Sequence, residues 1–144
     1  ILATLAKWAG ASRAGRETHR PLTQSELREL DRGGLIEIGA HTVTHTMLSK
    51  QPADVQRGEI IQSKESLEGI LGHQVQCFSY PFGGKSDFNR ESIEIVKEAG
   101  MTTACVNYGS TLTGNADPYC LPRVLARDWD VEVFSSRMKE WFNE

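Results

Sequence analysis

Three short runs rich in branched and aromatic residues, 35–40 (LIEIGA), 75–80 (VQCFSY) and 101–106 (MTTACV), alternate with longer stretches of helical apolar spacing. That alternation constrains the fold more than any other feature, because parallel strands need a crossover of a dozen or more residues between them. Between the first two runs, Pro52 can open a helix, and Val55, Ile60, Ile61, Lys64, Leu67, Ile70 and Leu71 form a stripe that ends at Gly72. Between the second and third, residues 89–99 read as a helix closed by Gly100. Upstream, Thr23 is a suitable N-cap for a helix reaching about Arg32; Glu26, three residues on, completes a capping box, and Gly33 and Gly34 stop it. At the flanks, residues 1–9 read as the end of a helix and 10–21 as a polar, arginine-rich connection. Residues 122–126 are expected as a fourth strand, before a terminal helix capped by Asp130 with Val133, Phe134, Met138, Trp141 and Phe142 on its apolar face.

The order implies an α/β fold with a parallel sheet, either open or closed into a barrel. In both forms the active site lies at the carboxyl ends of the strands. The chemistry-bearing residues of this chain fall there: His41 and His45 after the first strand, residues 81–84 after the second and 107–110 after the third. With 144 residues the chain is expected to form one domain, and a net charge of −3 lacks the basic excess that nucleic acid or an anionic membrane surface would attract. No apolar run reaches the length of a membrane span. Three widely spaced cysteines, Cys77, Cys105 and Cys120, fit neither a disulfide framework nor a thiolate metal site.

His41 and His45 are four residues apart, a spacing that puts two imidazoles on one side of a turn where they could share a cation. Polar surfaces also produce this spacing by accident, and two ligands need a third from elsewhere. The stretch FSYPFGG, residues 78–84, is either a simple strand-to-helix turn or one whose backbone approaches a substrate closely, with an inward amide N–H able to stabilise an oxyanion.

In this order the motifs resemble the polysaccharide deacetylase family, the NodB-homology domain. The resemblance runs through LTQSELRELDRGGLIEIG (22–39), HTVTH (41–45), residues 56–72, FSYPFGG, EAGMTTAC (98–105) and LPRVLARDWD (121–130). It implies a distorted (β/α) barrel, here its carboxyl-terminal portion over residues 22–144, with 1–21 as a preceding helix end and linker. It also implies a metal-dependent hydrolase that removes acetyl groups from N-acetylated sugars of a glycan, with zinc as the expected cation. By the same similarity His41 and His45 are metal ligands, the backbone N–H of Phe82 faces the oxyanion, and Tyr80, Pro81, Gly83 and Trp129 contact substrate. For Trp129, anchoring of the last helix is the competing use.

The sequence departs from the family in three places. The Asp-Asp pair that supplies the base and the third ligand is absent, since all six aspartates are isolated, and is expected to lie upstream of Ile1. No histidine follows His73 to act as a late general acid, and His19 and His73 read as loop and helix-end polar residues. The arginine that many relatives carry before the proline turn is replaced by Ser79. Arg123 is the candidate to take over that arginine's task of orienting the aspartate. A glycan-binding module without catalytic activity is the alternative reading.

Overall fold

The structure is a computed structural model, and it describes residues 1–10, 19–108, 111–112 and 114–142. The expected connection over 10–21 and the loop 107–110 fall partly outside these residues. Among these residues five α-helices and two short strands follow one another as α1 (Leu2–Trp8), α2 (Gln24–Arg32), α3 (Ala53–Leu71), β1 (Cys77–Ser79), α4 (Arg90–Glu98), β2 (Thr103–Cys105) and α5 (Val131–Phe142).

The helix boundaries follow from local chemistry. At the start of α2 the Glu26 amide donates to the Thr23 hydroxyl at 3.3 Å, while the Thr23 amide donates to the Glu26 carboxylate at 2.8 Å, so the capping box forms as its sequence implies. Asn89 and Ser92 form a second box on α4. Pro52 is the N-cap of α3, and Gly72 closes that helix in the left-handed conformation at φ 80°. On α5, Asp130 accepts from the Val133 amide at 2.8 Å, but no residue of the helix is buried and Phe134 and Phe142 are exposed. The expected apolar face of α5 is therefore only partly covered.

β1 and β2 pair in parallel, with Cys77 opposite Thr103 and Ser79 opposite Cys105, and α4 is the crossover between them. The expected strand at 35–40 contracts to a single bridge, Ala40 with Phe78, in which the Ala40 amide donates to Cys77 at 2.8 Å and the Ser79 amide to Ala40 at 2.9 Å. Among the described residues only this carboxyl end makes a backbone bridge to β1. Leu35 is 95% exposed, and a run without a neighbour along its length has no ladder to join. The expected strand at 122–126 does not form; the bridge to Cys105 is made one residue earlier, by Leu121. Pro122 has no amide to extend it. Four segments nonetheless lie side by side in parallel order: Ala40, β1, β2 and Leu121.

The core sits between this sheet and the helices: Phe78, Tyr80, Ala104 and Val106 pack with Ile60 of α3, Ile95 and Val96 of α4, and Leu48. Leu48 is fully buried three residues after His45 and ties the histidine loop to the core. Among the described residues no helix is long and apolar enough to cross a membrane.

Candidate active site

Ala40 is the last paired residue before the chain turns, so His41 leaves the sheet at the carboxyl end of its segment. The loop that follows contains two residues in the left-handed region, Thr42 at φ 63° and His45 at φ 57°. The third such residue that is not glycine is Phe82, at φ 60°. Each costs about 1–2 kcal/mol relative to an ordinary conformation, and such outliers gather where a fixed geometry is needed. All three border one cavity or lie beside it.

That cavity has a volume of about 600 Å³ and is lined by His41, His45, Ser79, Phe82, Asn107 and Arg123, among others. The His41 and His45 rings meet edge to face with centroids 4.8 Å apart, and His45 meets the Phe82 ring in the same manner at 4.7 Å. Nδ1 of His41 lies 2.6 Å from the Ser79 carbonyl oxygen. A carbonyl only accepts, so Nδ1 carries a proton, and in the neutral ring Nε2 is then the lone-pair donor, the form that ligates a cation. The donor chemistry of the pair therefore fits a divalent metal as two of its ligands. Among the described residues no group of three or more histidines, cysteines or carboxylates is gathered that could complete the set.

The turn after β1 is built from its sequence. The Gly83 amide donates to the Pro81 carbonyl at 2.6 Å, closing a three-residue γ-turn with Phe82 at its centre, and the positive φ of Phe82 makes this the rarer, strained form. Gly83 has φ 69°, and a Cβ there would lie 2.9 Å from the Asn107 amide nitrogen, so a side chain is excluded twice over. The consequence is that Phe82 is pushed outward, 53% exposed, and its amide has no hydrogen-bond partner among the described residues.

Not every expected contact residue faces the cavity. Tyr80 borders it, but its ring is 1% exposed, stacks on Phe88 with centroids 4.0 Å apart and donates its hydroxyl to the Tyr119 carbonyl at 3.2 Å. Burial pushes its phenol well above the usual range. Its side chain supports the turn from below because strand alternation points it into the core. Pro81 and Gly83 are likewise buried beneath Phe82 and are not part of the cavity lining. Trp129 is not part of it either; its indole meets Trp141 of α5 at 6.0 Å, the anchoring use. Arg123 does line the cavity, its Nε donating to the Val106 carbonyl at 3.1 Å. His73 is remote from it, paired with Asp31 at 2.8 Å.

Of the group expected at 107–110, Asn107 lines the cavity beside Gly83. Two further features have no clear mark in the sequence. The Ser79 hydroxyl, on the cavity wall, is the buried side-chain polar atom without a hydrogen-bond partner among the described residues. Glu59 of α3 accepts hydrogen bonds from the loop between the two histidines. Burial pushes its carboxyl up, but the Thr44 hydroxyl, the Thr44 and Val43 amides and the Thr42 hydroxyl together outweigh that and hold it below the ordinary value.

Residues 4–104 match the family model for polysaccharide deacetylase, which is more than half of the chain. The chain belongs to the polysaccharide deacetylase family. Among known relatives, the poly-beta-1,6-N-acetyl-D-glucosamine N-deacetylase of Staphylococcus aureus (strain MRSA252) is 25% identical over 128 residues, covering 83% of this chain and 42% of that protein. The chain thus spans less than half the length of that deacetylase. Among solved structures, IcaB from Ammonifex degensii superposes with a TM-score of 0.73 at 16% identity, covering 98% of this chain and 66% of that one. A polysaccharide deacetylase from Bacillus cereus superposes at 0.70 and 22%, covering 94% and 48%. Both likenesses speak for the deacetylase fold, a (β/α) barrel of which this chain forms a part.

Proposed function

We propose that the chain carries part of the active site of a metal-dependent carbohydrate N-deacetylase, which hydrolyses the acetamide of N-acetylated sugars in a polysaccharide. The observation that carries this reading is the convergence of His41, His45, Phe82 and Arg123 on one cavity. The named activity of the Staphylococcus aureus relative supports it. His41, through Nε2, and His45 would hold a divalent cation; imidazole donors suit zinc among other metals, and zinc is the one the family resemblance implies. Such a cation supplies Lewis acidity to an amide carbonyl and to the attacking water.

The other steps fall to the protein. The Phe82 amide, without a hydrogen-bond partner among the described residues, would donate to the oxygen that becomes negative when the acetamide carbon turns tetrahedral. The strained γ-turn fixes this donor before substrate arrives, so no reorganisation is needed at the moment of reaction. Arg123 presents a planar fork suited to hold a carboxylate base in one orientation and ionised. In this reading the base is the aspartate of the family's Asp-Asp motif. Among the described residues no carboxylate lines the cavity, and this observation favours the second reading, a glycan-binding module without catalysis.

Acetate release from N-acetylglucosamine oligomers by the full-length protein separates the two. Chelator-sensitive release, with Arg123→Lys cutting turnover at least about tenfold while metal content stays normal, is expected of the enzyme; lysine keeps the charge but loses the fork. Oligomer binding without any acetate release identifies the binding module.

A further inference from the structure

We propose that Glu59 is the positioning residue for the two histidines: its carboxylate, reaching from α3, clamps the strained loop that carries them. The inference rests on the reading of His41 and His45 as a cation site. One carboxylate oxygen, Oε2, accepts from the Val43 amide at 2.9 Å and from the Thr44 amide at 2.8 Å. The other, Oε1, accepts from the Thr44 hydroxyl at 2.7 Å. Successive amides turned toward one point make a cradle for an anion, and hydrogen bonds to a charged acceptor are the strong ones. The residues thus gripped lie between Thr42 and His45, the two left-handed positions of the loop. Strained positions persist only where their surroundings over-determine them, and Glu59 supplies three of the constraints. A fourth comes from within the loop, where the His45 amide donates to the Thr42 hydroxyl at 3.1 Å.

Glu59 is itself held in place. Gln56, three residues earlier on the same face of α3, is buried; it accepts from the Ser92 hydroxyl at 2.6 Å and donates to the Gln51 carbonyl at 2.9 Å. The Gln51 side chain in turn donates to the Thr46 hydroxyl at 3.0 Å, so α3 controls the chain on both sides of His45. Glu59 does not line the cavity, and both its oxygens are occupied. It acts through the loop and touches neither substrate nor cation.

The test is a zinc titration of the full-length protein followed by the imidazole NMR signals of His41 and His45, with amide exchange at Val43 and Thr44 measured alongside. In the native protein both rings should respond with one dissociation constant. Glu59→Leu should weaken zinc binding about 10- to 100-fold, the range for partners that orient a ligand, and should remove the protection of both amides. Glu59→Gln, which keeps one carbonyl oxygen for the amides, should fall between the two, and it keeps the test decisive if the leucine variant does not fold. A folded variant that binds zinc as the native protein does overturns the role of Glu59 and leaves the deacetylase reading intact. Native histidine signals that ignore zinc, in a protein with normal amide protection, overturn both.

Discussion

At the scale of single residues the site depends on backbone conformations that side chains resist. Gly83 is where this is most exposed to measurement, since its φ of 69° and the Asn107 amide 2.9 Å from any added Cβ both oppose substitution. Gly83→Ala should lower unfolding stability by about 1–3 kcal/mol in urea titration, with Phe82 displaced from the cavity rim. An alanine variant of native stability would mean that the turn relaxes freely and presents no fixed donor. His41, His45 and the proline turn were legible in the sequence because each is a local motif at a strand's end. Glu59 was not, because its partners are 15 and 16 residues away and a lone glutamate on a helix reads as solvated surface. Tyr80, which the family resemblance assigned to substrate, borders the cavity, but the alternation that continues past β1 sends its ring into the core.

At the scale of elements, capping chemistry was read correctly and strand length was not. A capping box is complete within four residues, as at Thr23 and Glu26, so the sequence contains all of it. A strand's extent depends on neighbours distant in sequence: the run at 35–40 keeps only the bridge at Ala40, and that at 122–126 gives way to a bridge at Leu121. Between α2 and the end of α3 there is a pH-sensitive clasp. His73 Nε2 faces Asp31 at 2.8 Å and Nδ1 faces the Gln74 carbonyl at 3.0 Å, so both nitrogens meet acceptors and the doubly protonated ring is favoured. The Asp31 hydrogen bond foremost, then that of Gln74, raises the His73 pKa above its ordinary 6.5. A raised folded-state value means that the clasp contributes fully below the unfolded pKa and is lost as pH rises through the folded one. Melting temperature should therefore fall more steeply in the native protein than in Asp31→Asn as pH rises past the ordinary imidazole value, the two curves converging at the alkaline end. Parallel curves would show that the pair does not couple to folding.

At the scale of the whole molecule, a parallel array of four segments brings their carboxyl ends together, and the histidines, the γ-turn, Asn107 and Arg123 meet there although Arg123 lies 82 positions beyond His41 in the sequence. The order of strands and helices made that convergence readable before any coordinates, whereas the thin cover over α5 and the exposed Leu35 depend on packing that no local pattern encodes. The central claim is that His41 and His45 share one cation at the mouth of this cavity. Zinc-edge anomalous diffraction from crystals of the full-length protein tests it most directly. A single zinc about 2.0–2.1 Å from a ring nitrogen of each histidine, that of His41 being Nε2, is the result the account predicts. Zinc bound elsewhere, or held by one of the two histidines alone, would contradict it.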